Sequence, residues 1–159
     1  MVKEARRQKL NDLIGMTIAL KRKLNNYYDS PNKERLDIAL ESSDDIIGVL
    51  TAHLNDDSLD DDIYYLTHVF ALYVVATCLY SMVQFECISR YAESDNERNT
   101  ISVRIADEIE RASSMYSKIS DRLYQKTSNR FTKIVTRLHE PWINWFTWPK
   151  WRTSYYVYE

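Results

Sequence analysis

Residues 63–85 read Ile-Tyr-Tyr-Leu-Thr-His-Val-Phe-Ala-Leu-Tyr-Val-Val-Ala-Thr-Cys-Leu-Tyr-Ser-Met-Val-Gln-Phe, twenty-three positions without one Asp, Glu, Lys or Arg. Such a run is far longer than a strand and long enough to cross a bilayer as a helix. His68, Ser81, Gln84, two threonines and four tyrosines dilute it, and positive charge is scarce at either flank. A membrane span prefers basic flanks and a purer apolar centre, whereas the middle helix of a bundle must be apolar on every side. The spacing therefore predicts a buried central helix over about Leu59–Arg90, and a membrane partner is not expected.

The composition around this run fixes the class. The 159 residues hold only two glycines and three prolines. Hairpins need Asn-Gly or Asp-Gly turns, and phosphate loops need glycines where backbone approaches a ligand. Barrels, sandwiches, dinucleotide-binding units and P-loops are thereby excluded, and an all-α chain of one domain's size remains.

Outward from the centre, apolar residues recur at three and four. Leu10, Leu13, Ile14, Thr17, Ile18, Lys21 and Leu24 mark a helix over about Lys3–Tyr28. Leu36, Ala39, Leu40, Ser43, Ile46, Ile47, Leu50 and Leu54 mark a second over Pro31–Leu54, with Ser30 as its expected cap and Pro31 at its first position. Ala92–Thr100 reads as a polar connection. Ile105, Ile109, Ala112, Tyr116, Ile119 and Leu123 are spaced as a heptad seam and predict a core-facing helix over Ile101–Lys126. A short fifth helix over Ser128–His139 would bury Phe131, Ile134, Val135 and Leu138. On its other side Lys126, Arg130, Lys133 and Arg137 form a basic stripe, suited to an acidic protein face or to DNA phosphate gripped without reading sequence, or simply solvated.

From Pro141 the texture changes. Residues 141–159 contain all four tryptophans, Trp142, Trp145, Trp148 and Trp151, with Phe146, Tyr155, Tyr156 and Tyr158, so eight of nineteen positions are aromatic. Rings of this size bury about 150–250 Å² each, and a segment this short has no core of its own. It must lie on its own bundle, on a neighbouring copy or partner, or on a membrane interface. The expected division is a helical bundle over 1–140 and an extended docking arm over 141–159, with these eight residues as the partner-binding set.

Charge is segregated although the net is only -2. Residues 1–24 carry net +5, residues 25–125 net -11 and residues 126–152 net +5. Basic ends around an acidic middle suit another copy of the same chain or a polyanion.

No reactive constellation is legible. Asp56, Ser58 and Asp60 imitate the start of a calcium loop, yet Asp61 stands where glycine is required and Thr67 where a bidentate Glu belongs. His53, His68 and His139 lie in separate segments with no ligand at metal spacing, and Cys78 and Cys87 fall on opposite sides of one helix. No catalytic residue, metal site or cofactor is expected. The opening residues lack the apolar core of a secretory signal, so a reducing cytoplasm is the expected compartment.

The acidic approach at Asp56–Asp62, the tyrosine-rich apolar helix, the polar loop and the charged helix with Ile105, Ile109, Tyr116 and Leu123 together resemble the head–tail connector (adaptor) proteins of tailed bacteriophages. The likeness spans about residues 34–125 and is one of helix order and texture. It implies a non-enzymatic virion protein, assembled in the host cytoplasm as a homo-oligomeric ring of small bundles around the DNA channel. It also implies a C-terminal arm that binds the portal, another neck or tail protein, or a neighbouring subunit. A first helix preceding the matched region and the tryptophan density depart from that pattern. The alternative is a cytoplasmic helical regulatory or scaffolding protein that binds one partner through its aromatic tail.

Overall fold

The computed structural model describes residues 2–59 and 62–127, with side chains from Lys3 to Arg122 within them. Helix α1 spans Val2–Asp29 and α2 spans Lys33–Leu54; a 3₁₀ turn comes next at Asp57–Leu59. Helix α3 spans Ile63–Glu86, a π-helical turn covers Cys87–Tyr91, and α4 runs over Asp95–Thr127. The described chain is all helical, and α3 packs against α1, α2 and α4.

Polar caps, more than apolar periodicity, set the ends. The Asn32 side chain accepts from Arg35 N at 2.8 Å, so α2 starts at Lys33 and the expected Ser30 cap is displaced by two residues. Asp62 accepts from Tyr65 N at 3.0 Å and starts α3. The continuous helix expected over Leu59–Arg90 is thus cut at its front by the Asp62 cap and changes pitch behind Glu86.

The largest boundary correction concerns α4, which begins at Asp95 and not at Ile101. Ser94 Oγ accepts from Glu97 N at 3.1 Å, and the Glu97 carboxylate accepts from Glu93 N at 2.9 Å. The first bond satisfies a donor that the helix start leaves open, and the second ties the residue before Ser94 to the first turn.

The core is the common interior of α1, α2 and α3. Leu20, Leu24 and Tyr27 meet Leu36, Ile46, Leu50 and Leu54, and the inner faces of α3 supply Leu66, Leu72, Leu79 and Val83. Each fully buried Leu or Ile contributes roughly 1.5–3 kcal/mol relative to exposure. The expected stripe of α2 is buried except for half-buried Leu40. On α1, Leu20 and Tyr27 continue the three-and-four spacing of Leu10, Leu13, Thr17 and Leu24 into the buried stripe, whereas Ile14 and Ile18, expected there, are half-buried. Lys21 is buried with Leu20 and Tyr27, and burial lowers its pKa to about 8. Buried hydroxyls turn inward on their own helices: Thr17 donates to Leu13 O at 2.9 Å and Thr77 to Tyr73 O at 2.9 Å.

On α4 the seam lies one position away from the expected one. Ile101, Glu108 and Ile119 are buried, with Ile105, Ala112, Met115 and Arg122 half-buried between them. Ile109 and Tyr116, expected in the core, are 55% and 54% exposed; the Leu123 side chain lies outside the described residues. Two heptad frames share Ile105, Ala112 and Ile119, and α4 adopts the one that contains Glu108, Met115 and Arg122. That frame lets Arg122 donate to Leu54 O at 2.7 Å, a carbonyl at the end of α2, and to Asp56 O at 3.3 Å in the turn beyond it.

The same frame buries Glu108. Its Oε2 lies 3.5 Å from Arg111, while its Oε1 is buried with no hydrogen-bond partner. Burial pushes the Glu108 carboxyl up, opposed by Arg111 and reinforced by Asp44; Asp44 is itself raised by burial and by Asp45, with Arg104 opposing. Tyr73 and Tyr80 of α3 face the same carboxylate. A raised native pKa means the native state holds its proton longer than the unfolded chain does. This contribution therefore favours folding below the ordinary glutamate range and is lost as pH rises through the native value. Glu108→Leu is expected to raise stability at pH 7 by about 1–4 kcal/mol and to flatten this part of the pH profile, measured by urea unfolding from pH 4 to 8.

Candidate functional site

The charge-free run of α3 does more than fill the core. Tyr64, His68, Ala71, Val74, Cys78, Ser81 and Phe85 recur at three and four residues and form one face of the helix that the other described helices leave open. Tyr64 and Phe85 at its two ends are 67% and 63% exposed. About two-thirds of the most apolar stretch of α3 is buried, and this face accounts for much of the remainder. By length and composition α3 with its adjoining turn could span a bilayer. The sequence expectation of burial on all sides therefore holds for most of the helix and fails along this stripe.

The face is uncharged along its length. His68 stacks on Tyr64 with ring centroids 4.0 Å apart, and its Nδ1 donates to Tyr64 O at 2.8 Å. Burial lowers its pKa below the ordinary histidine value, so the ring is neutral at pH 7. Cys78, in the middle, has its thiol pushed up by burial and stays protonated. Apolar side chains of α4 flank the stripe: Phe70 and Tyr116 pack with centroids 5.8 Å apart, and Ile109 stands further along.

Towards the far end the face deepens into an apolar groove of about 540 Å³, lined by Cys78, Met82, Phe85, Ile109 and Ala112, with Tyr28 closing one side. Glu86 is the one carboxylate on its wall, and it is already engaged. Tyr27 donates to Glu86 Oε2 at 2.8 Å, and Arg90 Nε lies 3.0 Å from the same oxygen. The Tyr27 phenol is pushed well above its ordinary pKa by burial and by Glu86, so it remains a donor. This node ties the end of α1 to the π-helical turn and leaves the groove without a free charge to orient a small polar ligand.

A second cleft, of about 290 Å³, lies between α2 and α4 and is lined by Lys33, Asp37, Gln84, Cys87, Glu97 and Arg104. Charges of both signs offset each other there, and burial keeps the Cys87 thiol protonated. Among the described residues no three His, Cys, Asp or Glu side chains converge where a metal ion would sit. His53 faces Tyr65, 3.3 Å from its hydroxyl, and is remote in sequence from any other imidazole. The groove beside Phe85 offers a seat for apolar association.

The residues that the sequence nominates for partner binding, Trp142, Trp145, Phe146, Trp148, Trp151, Tyr155, Tyr156 and Tyr158, lie outside the described residues. So do Arg130, Lys133 and Arg137 of the basic stripe and the side chain of Lys126, whose backbone is in the last turn of α4. The open face of α3 is not legible in the sequence because an apolar run shows no polar side that would mark exposure. Comparison of the chain with protein-family models, with curated proteins and with solved structures finds no match.

Proposed function

We propose that the chain is a non-enzymatic assembly protein of a tailed-phage virion. In this reading the helical bundle, completed by a short fifth helix, forms a homo-oligomeric ring in the head–tail connector. The extended arm of residues 141–159 docks to neighbouring subunits or to the portal. The observation that supports it best is the uncharged open face of α3, with Phe85, Ile109 and Tyr116 beside it. A soluble bundle rarely leaves a continuous apolar face to water, and such faces serve as protein contacts. The groove at Cys78, Met82 and Phe85 is a seat for the rings of an arriving arm, since large rigid aromatics dominate contact energies. Helix order and texture supply the connector assignment, and the basic stripe at Lys126–Arg137 would face DNA phosphates or an acidic neighbour.

Truncation after residue 140 tests this reading. The full chain is expected to form a ring of many copies by light scattering and negative-stain imaging. The truncated chain should keep its helical circular dichroism and run as a single small species. A monomeric full chain would overturn the proposal, and a truncated chain that unfolds or aggregates would show that the arm belongs to its own bundle.

A further inference from the structure

We infer that two copies of this chain pair face to face across the open side of α3, about a two-fold axis running along that helix. The first support is the spacing on α3. Tyr64, Ala71, Cys78 and Phe85 stand seven residues apart down the middle of the open stripe, with Val74 and Ser81 beside them. An uncovered seven-residue repeat is the pattern by which one helix packs along another in a left-handed pair. Large rings mark its two ends, and the small side chains of Ala71 and Cys78 between them let a second helix come close. In a parallel pair the equivalent positions of such a repeat meet, so α3 can serve as its own partner. The surface on either side extends the contact. α1 and α4 both pack against α3 and scarcely meet each other, so they flank it. On α4, Ser102, Ala106, Ile109, Ser113, Tyr116 and Ser120 recur at four and three, an uncharged row on a helix otherwise dense in charge. On α1, half-buried Ile14 and Ile18 share a side with Tyr28, which lines the groove. Twenty-one steps of α3 measure about 32 Å, and flanking axes stand about 8–10 Å away. The layer is therefore roughly 600 Å² in outline before the relief of its side chains is counted, on the scale of the ~800 Å² per partner of a specific interface.

The second support is charge, which selects a second copy as the occupant and sets its direction. Arg6 with Asp62 at 3.3 Å and Tyr27 with Glu86 at 2.8 Å hold α1 parallel to α3. Tyr116 on Phe70, and Ile109 in one groove with Cys78, hold α4 antiparallel to it. A two-fold axis along α3 lays α1 of each copy over α4 of the other. At matching heights Arg7 of one copy comes level with Asp121 of the other, and Arg22 with Asp107 and Glu110. All five side chains are exposed, and among the described residues none is in an ion pair. An axis across α3 would instead lay α1 on α1, and that helix carries seven basic and three acidic side chains, net +4. Rim charges of this kind fix orientation, while the apolar seam supplies the attraction. Helices paired in this way cross at about 20° and part towards their ends, which leaves the groove by Phe85 room for a ring of the arm. The pairing does not depend on the connector reading, since it needs neither the arm nor a ring.

Thiol cross-linking in the full-length chain tests it. With Cys87→Ser, Cys78 is the one thiol left, and mild oxidation at pH 8 is expected to join it to its counterpart as a covalent dimer that reverts on reduction. A chain carrying Cys78→Ser, Cys87→Ser and Ala71→Cys should join likewise, since position 71 lies on the same axis. Ile38→Cys in the same thiol-free background, at a position of α2 that is 45% exposed, should stay unlinked. Linking only between the 71 and 78 chains when they are mixed would show an antiparallel pair, and equal linking at 38 would show random collision; either overturns the inference. Thiols at 71 and 78 that stay unlinked overturn it as well, and if light scattering still shows a ring, the connector reading survives alone. A dimer linked at 78 that never grows into a ring does the opposite. Circular dichroism matching the parent chain establishes that each variant is folded.

Discussion

Replacing Tyr27 by Ala is expected to destabilise the bundle by about 3–5 kcal/mol, the range for removing a large buried ring. Tyr27 is fully buried at the end of α1, edge-on to Tyr28 at 5.3 Å and to Tyr91 at 6.4 Å. Its hydroxyl donates to the Glu86 carboxylate, which Arg90 holds from the other side. Tyr27→Phe keeps the ring and removes the donor, and should cost about 1.5–3 kcal/mol, as for other bonds to charged acceptors. Urea unfolding of the two variants separates ring packing from the hydrogen bond. Equal losses would mean that the phenol–carboxylate contact carries the site; no loss in Tyr27→Phe would mean that Arg90 alone satisfies Glu86.

The second large effect contrasts two faces of one helix. Leu79→Ala, at a fully buried position of α3, should cost about 2–5 kcal/mol through the lost transfer energy and the cavity left behind. Phe85→Ala lies six residues on and removes a larger side chain, yet Phe85 is 63% exposed. Its cost to the stability of the isolated bundle should stay within about 0.5 kcal/mol. If the groove seats an arm, Phe85→Ala instead weakens association, visible as a lower mass in light scattering at matched concentration. Similar stability losses in both variants would mean that the open face is covered by the chain's own residues at this height.

The helical class was legible because its causes are local. Two glycines among 159 residues remove the turns of a sheet protein, and three-and-four spacing marks α1 and α2 without tertiary knowledge. The buried stripe of α2, from Leu36 to Leu54, tracks its apolar pattern closely. The start of α4 was also legible, since Ser94-Asp-Asn-Glu97 spells a capping box, but apolar spacing alone points to Ile101. The seam of α4 was not legible. The choice between frames sharing Ile105, Ala112 and Ile119 is made by the Leu54 carbonyl at the end of α2, which binds Arg122 from a distant part of the chain. The open stripe of α3 escaped for a related reason: in a run with no polar side, exposure depends on how many neighbours arrive. The aromatic positions from Trp142 to Tyr158 were nominated from composition alone, and they lie outside the described residues.

Because every tryptophan of the protein falls between 142 and 151, intrinsic indole emission reports on the arm and on nothing else. The full-length chain should be monitored by emission and by light scattering through one dilution series. Emission is expected to be blue-shifted while the protein is assembled and to move to the red as subunits separate. Emission that stays blue in the dissociated monomer, or that is red at every concentration, would contradict an arm buried on a second molecule.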